Sequence, residues 1–227
     1  MIFTFWEGTM PEYIRLCMKT WRFPFTLLNY GNLGDYTDLP ADQHLKRFPL
    51  AQVADCVRVH VLRDQGGYWL DADTIMLDDK LPDADIAGYP DARTNTIGFL
   101  RTEKGSEMFC RWAEHQDGIL RSSDTPVLWS AMGNDFTDQY VREHKEIRIY
   151  PVGDSWAETY MIPGKAARQY KYSRLYFDEK YHLSDLRPTC MLMLHNSWTP
   201  QWYKGLTEEQ ILASDCTMSN VIKEASK

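Results

Sequence analysis

The stretch GGYWLDADTIML, from Gly66 to Leu77, decides how this chain is read. Two glycines stop what precedes them and three bulky residues follow. Asp71 and Asp73 then stand one residue apart before apolar residues resume. In open α/β sheets, ligands bind beyond the carboxyl ends of strands. Tyr68 to Asp71 reads as such a strand, ending on acids. Residues i and i+2 of a strand share a face, so a strand that continued through Asp73 would bring both carboxylates to one point. Like charges that close repel unless a cation sits between them. Hard carboxylate oxygens suit Mg2+ or Mn2+. By itself a D-x-D is common and reads first as two solvated acids in a turn after the strand.

Just upstream, AQVADCVRVHVLRDQ, Ala51 to Gln65, reads as a helix that Gly66-Gly67 terminates. Asp55 and Arg58 are at i and i+3, hence on one helical face. Leu62 shares that face, so the pair is not on a fully wet surface. Two readings stand: a helical salt bridge, or an acid that accepts hydroxyl hydrogen bonds beside a cation that donates them.

Working outward, Ile2 to Phe5 reads as a buried strand. Pro11 suits the first turn of a helix running to about Trp21, and Phe25 to Leu28 reads as a second strand. Residues 30 to 49 are mostly loop. Strand and helix alternate up to the acids, which predicts an α/β sheet. Further strands are expected at Asp85–Tyr89, Ile97–Leu100, Ile147–Tyr150 and Cys190–Leu194. Helices are expected at Ser106–Gln116 and Thr125–Met132. Thr207 with Gln210 makes a capping-box pattern for a terminal helix. Residues 151–189 show no clear period. With no repeat, low-complexity segment or linker, one domain over 1–227 is the economical organisation.

Composition narrows the function classes. The chain has 227 residues, 44% of them hydrophobic, and a formal net charge of -7. A negative balance argues against a nucleic-acid partner, which wants a basic face. A local cation can still hold a small anionic ligand. The five cysteines include no C-x-x-C pair, so free thiols in a reducing cytosol are expected. MIFTFWEG lacks the features of a signal peptide. No apolar run approaches the roughly 18 residues of a spanning helix. A cytoplasmic location is expected, with peripheral association at the inner face of the membrane as a further option. Eight tryptophans and thirteen tyrosines provide faces for sugar rings and nucleobases, although most such rings fill cores.

From Ala54 to Asp73 the chain reads A-D-x-x-R-x-x-x-L-x-x-x-G-G-x-W-x-D-x-D. With the opening IFTFWEG, this composite resembles the DXD-containing sugar transferases of glycosyltransferase family 32 and the related capsular polysaccharide synthesis proteins. The resemblance covers roughly the first third of the chain. It implies a GT-A fold, a single domain with a Rossmann-like mixed sheet flanked by helices, that binds a nucleotide sugar at the strand ends. It implies a retaining hexosyltransferase moving sugar from a UDP-sugar to a glycan or lipid-linked glycan acceptor, in surface or capsular polysaccharide assembly. Asp73 would hold the divalent ion, Mn2+ or Mg2+, that bridges the diphosphate. Asp71 would contact the ribose and the donor sugar. Asp55 and Arg58 would hold donor-sugar hydroxyls. Phe3 to Trp6 would lie along uracil and ribose, with Trp6 as a stacking platform.

The resemblance extends to LHNSW, Leu194 to Trp198, which follows the last apolar strand. There it implies that His195, Asn196 and Ser197 complete the metal and diphosphate site, with Trp198 alongside. His195 also reads as a satisfied histidine at a strand end. DARTNTIGFL resembles the acceptor-side segment, with Asn95 as the residue of interest. SSDTPVLWSAMG resembles the segment that follows, with Thr125-Pro126 where those families carry Gly-Pro. Asp124 either faces the acceptor or caps a helix.

Two rivals stand beside this reading. LDADTIML also matches the D-x-D-x-T motif of haloacid-dehalogenase-type phosphatases, in which Asp71 would be a nucleophile. That motif ends a domain's first strand, whereas here it follows a glycine pair and a helix. The other rival is a non-catalytic module that binds nucleotide sugars.

Overall fold

The computed structural model describes residues 1–89, 94–122, 127–151, 153–154, 174–186 and 189–227. The chain forms two compact units, each assembled from three segments. The first comprises Met1–Gly8, Pro24–Asp71 and Asp83–Pro151, and the second Thr9–Phe23, Ala72–Pro82 and Val152–Lys227.

The first unit is built on a six-stranded mixed sheet. Its strands are β1 (Ile2–Phe5), β2 (Phe25–Leu28), β3 (Gly67–Leu70), β5 (Ile86–Tyr89), β6 (Thr94–Thr102) and β7 (Ile149–Pro151), in the order β2-β1-β3-β6-β5-β7. β1 pairs parallel with β2 and β3, and β3 pairs antiparallel with β6. β5 pairs antiparallel with β6 and parallel with β7. All four residues of β1 are buried, so both faces of the sheet are covered there. The expected α/β class and mixed sheet with flanking helices are therefore present.

Helix α3 (Leu50–Gln65) packs against β1, β3 and β6, and against α4 (Glu107–Arg121). Its apolar residues Val53, Cys56, Val57 and Val61 enter one core with Phe3, Trp69, Leu100 and Trp112. Gly66 ends the helix with φ 68°, and its N–H bonds the Leu62 carbonyl at 2.8 Å. Gly67 follows at φ 96°. Positive φ at consecutive residues is a conformation that only glycine adopts readily, and it turns the chain from α3 into β3.

The 30–49 stretch is not all loop. It contains a short helix, α2 (Gln43–Lys46), capped by Asp42, whose carboxylate accepts the N–H groups of His44 and Leu45. The helix expected at Thr125–Met132 is replaced by turns over its described part, Val127 to Met132. Side chains of α3 and α4 take the carbonyls that a helix would use internally. Gln52 donates to Leu128 O at 3.1 Å, and Trp112 and Gln116 donate to Met132 O at 3.0 and 2.5 Å. Helix α5 (Asn134–Glu143) begins only after this loop.

The second unit holds α1 (Glu12–Lys19) and a three-stranded sheet in the order β4-β9-β8. β4 is Thr74–Met76, β8 Gly153–Asp154 and β9 Met191–Met193. β4 pairs antiparallel with β9, which pairs parallel with β8. Trp21 Nε1 donates to Thr74 O, and Met76 N donates to Thr20 Oγ1, each at 2.8 Å, fastening the chain after α1 to β4. The capping box forms as expected: Thr207 and Gln210 exchange both bonds ahead of the helix Glu208–Ala213. All five cysteines are free thiols, as expected. Among the described residues no helix is long and apolar enough to cross a membrane.

Candidate active site

The strand that carries the acids ends earlier than its sequence suggests. β3 closes at Leu70, opposite Phe99, with one more ladder bond from Asp71 N to Gly98 O at 2.8 Å. Residues 71–73 are not strand, and Thr74 opens β4 in the other sheet. The i, i+2 rule therefore does not apply to Asp71 and Asp73, and the expectation that they share a strand face is corrected. Asp71 belongs to the first unit and Asp73 to the second.

In the first unit, β2 and β3 lie on opposite sides of β1, and both pair with it in parallel. The chain therefore reverses its winding direction at β1. Ligands in α/β sheets favour the crevice outside the carboxyl ends at such a point. Trp6 follows the carboxyl end of β1, and Asp71 that of β3.

Arg58 joins the acids here. Its side chain is 5% exposed, and Nη2 lies 3.0 Å from Asp55 Oδ1 and 3.2 Å from Asp71 Oδ1. Nη1 donates to Ile97 O at 2.5 Å and Nε to Ala54 O at 3.3 Å. The guanidinium carbon sits 5.3 Å from the centroid of the Trp69 ring, and Trp69 Nε1 donates to Asp71 Oδ1 at 2.8 Å. One guanidinium thus spans two carboxylates and two carbonyls, which its rigid fork of donors permits and an ammonium would not.

The two acids differ in exposure. Asp55 has a side chain 15% exposed and Asp71 one 34% exposed. Burial pushes the Asp55 carboxyl up to about 7; Arg58 opposes that rise and the Asp71 charge adds to it. Asp55 Oδ2 accepts no hydrogen bond from any described residue. It faces Gly133, where an added Cβ would lie 3.3 Å away.

The other expected residues of this unit are placed differently. The Phe3 side chain is fully buried in the core, edge-on to Tyr36 with centroids 5.6 Å apart, so only its backbone is left for a ligand. Trp6 is partly exposed, with its Nε1 buried and without a hydrogen-bond partner among the described residues. Asn95 is 2% exposed, and its backbone and side-chain N–H groups donate to Asp138 at 2.9 and 3.0 Å. That amide fastens β6 to α5, and its buried Oδ1 has no partner among the described residues. Asp124 lies outside the described residues.

In the second unit, β4 and β9 bring Asp73 to LHNSW. Thr74 stands opposite Met193, and Leu194 N donates to Asp73 O at 3.2 Å. Asn196 N then donates to Asp73 Oδ2 at 2.8 Å. The buried Tyr13 donates its hydroxyl to Asn196 Oδ1 at 2.6 Å, so that carbonyl serves the fold. His195 precedes the turn Asn196–Trp198, and its ring lies 4.5 Å from the 42% exposed Trp198. Ser197 is exposed. Lys204 is near enough for the Asp73 charge to raise its pKa, against a larger lowering by burial.

Among the described residues no three His, Cys, Asp or Glu side chains converge as a metal cage. Mg2+ is characteristically held by one or two carboxylates plus substrate phosphates and water. The Asp73 carboxylate, with the exposed Ser197 one residue beyond the Asn196 N–H that bonds it, fits that hard-oxygen chemistry.

The chain belongs to the capsular polysaccharide synthesis protein family, whose model matches residues 1–212. No curated protein matches it. A solved structure described as PaToxG glycosyltransferase is similar over 63% of this chain and 67% of that chain, at 13% identity and a TM-score of 0.46. A likeness of that degree carries no argument.

Three elements of the first-unit site escape a sequence reading. The link from Arg58 to Asp71 crosses 13 positions that no helical or strand period connects. The Trp69 indole looks like one more core ring until its N–H is located. Gly133 carries no signal at all. The Asp55–Arg58 pair, by contrast, follows directly from i, i+3 spacing.

Proposed function

We propose that the chain is a metal-dependent glycosyltransferase of the GT-A type, one domain over 1–227. It would transfer a hexose from a UDP-sugar, with retention of configuration, to a glycan or lipid-linked glycan of a surface polysaccharide. The observation that carries the reading is the buried Asp55–Arg58–Asp71 network at the carboxyl ends of β1 and β3. Membership of a family named for capsular polysaccharide synthesis supports it.

Each residue has a role that follows from its chemistry. Arg58 donates to both carboxylates and to Ile97 O, so it fixes Asp55 and Asp71 before any ligand arrives. Such preorganisation spares the site reorganisation during the reaction. Asp55 offers Oδ2 to a donor-sugar hydroxyl. Asp71, steadied by Trp69 Nε1, offers its more exposed side to ribose and sugar. Trp6 offers a partly exposed ring to the base. Asp73 would hold Mn2+ or Mg2+, positioned by the Asn196 N–H and assisted by Ser197 and His195. When bound, the ion supplies positive charge for the departing diphosphate. Trp198 offers an exposed face alongside.

The experiment is a panel of nucleotide sugars with Mn2+, scored for binding and slow hydrolysis. Saturable binding of a UDP-sugar, with UDP and free sugar released, supports the proposal. The release of inorganic phosphate from simple phosphomonoesters, dependent on Asp71, would favour the phosphatase. Binding of a nucleotide sugar with no turnover in the presence of any acceptor would favour a binding module.

A further inference from the structure

The 127–133 loop ends at Gly133, directly before α5, and side chains hold its backbone along its length. Gln52 of α3 donates to Leu128 O, and His115 of α4 pairs with Ala131 O at 3.0 Å. Trp112 and Gln116 of α4 both donate to Met132 O. Gln116 also donates to Asp55 O at 2.9 Å, which ties the loop to the helix turn that carries Asp55. The position of Gly133 relative to Asp55 is therefore set by several independent bonds.

A side chain at that position would press on Asp55 and Ile97. A Cβ on Gly133 would lie 3.3 Å from Asp55 Oδ2 and 2.5 Å from Ile97 Cδ1. Asp55 Oδ1 already pairs with Arg58, whereas Oδ2 has no donor among the described residues. Carboxylate oxygens on a side chain only 15% exposed normally have a donor. A ligand hydroxyl at hydrogen-bond distance from Oδ2 would need space that a methyl on Gly133 would encroach upon.

We propose that Gly133 is a specificity-determining residue: by carrying no side chain, it keeps Asp55 Oδ2 open to a hydroxyl of the transferred sugar. The inference rests on the assignment of Asp55 to the donor sugar. It makes the pinned loop part of the sugar pocket, with space as its contribution.

The test uses Gly133→Ala in an Ile97→Val background. Valine lacks the Cδ1 atom that the new methyl would strike, so the double variant keeps the Asp55 contact and relieves the other. Gly133→Ser adds a hydroxyl that can occupy Oδ2 itself. Three quantities are measured for each: melting temperature, UDP affinity in Mn2+, and hydrolysis of the UDP-sugar that the wild type accepts. Ile97→Val alone removes one buried methyl and serves as the reference for all three. Gly133→Ala and Gly133→Ser, each in the Ile97→Val background, should keep the melting temperature and UDP affinity of Ile97→Val and lose hydrolysis by about tenfold or more. Unchanged hydrolysis, or UDP affinity falling in step with it, would overturn the inference.

A titration of the Asp55 carboxyl by carbon-13 NMR reads the same contact with no nucleotide present. A methyl that excludes water from Oδ2 should move the midpoint upward in the double variant. An unmoved midpoint overturns the inference whatever the donor proves to be. A wild type that binds no nucleotide sugar overturns the donor assignment, and an upward shift would still support the contact.

Discussion

Arg58 Nη2 lies 3.0 Å from Asp55 Oδ1, one helical turn back along α3, inside a largely buried site. The pair is more than an i, i+3 surface bridge, because the same nitrogen reaches Asp71 and the same side chain holds two carbonyls. Breaking a buried ion pair from one side costs about 3–5 kcal/mol, since the remaining charge is left uncompensated. Arg58→Ala should destabilise the protein by that order in urea denaturation. Arg58→Lys keeps the charge but cannot reach all four acceptors, and should cost less in stability while lowering sugar turnover far more than UDP affinity. Equal losses of both would contradict the role assigned to Arg58.

Asp55 should make stability fall as pH rises. Its folded pKa of about 7 lies above the ordinary 3.8, because burial disfavours the carboxylate. A raised pKa means the folded state holds the proton more tightly. The stabilisation is complete below about pH 4 and is lost as pH climbs to about 7. Relative to Asp55→Asn, which does not titrate, wild-type stability should drop by up to about 1.4 kcal/mol per pH unit across that window. Urea unfolding of both proteins at four pH values checks this, and a difference independent of pH would refute it.

Trp69→Phe removes one N–H and keeps a buried ring. The lost bond to Asp71 Oδ1 should cost about 1 kcal/mol in stability. With that support gone, Asp71 should hold the sugar less well. The Michaelis constant for the donor should then rise while UDP affinity in Mn2+ stays close to wild type.

How much of this is visible beforehand depends on whether a local period carries it. β1 and β2 have the bounds expected, because short apolar runs between turn residues leave little choice. Asp55 and Arg58 follow from helical spacing. The shared strand face of Asp71 and Asp73 does not survive, because β3 stops with its ladder and Thr74 joins a different sheet. Sequence shows the apolar run that makes a strand, but not where its neighbours cease to pair. Asn95 reads as a polar contact residue and is instead 2% exposed, fastening β6 to α5. A polar residue looks the same on paper whether its partner is water, a ligand or a distant aspartate. Gly133 is invisible for a related reason, since what it contributes is space.

Asp73→Asn should weaken UDP binding in Mn2+ by about tenfold or more, with much less effect in the absence of metal. The fold should persist, because an amide oxygen can still accept the Asn196 N–H that now bonds Oδ2. Calorimetry with and without Mn2+ separates the two effects. Equal UDP affinity in wild type with and without metal would remove Asp73 from the metal role.

The central claim is that the bond broken joins an anomeric carbon to a phosphate oxygen. It is tested by letting the protein hydrolyse the UDP-sugar it binds, in water enriched with heavy oxygen and with Mn2+ present, and weighing the products. A glycosyltransferase should release unlabelled UDP and put the heavy oxygen on the sugar. Heavy oxygen in phosphate, or an aspartyl-phosphate trapped at Asp71, would contradict the account.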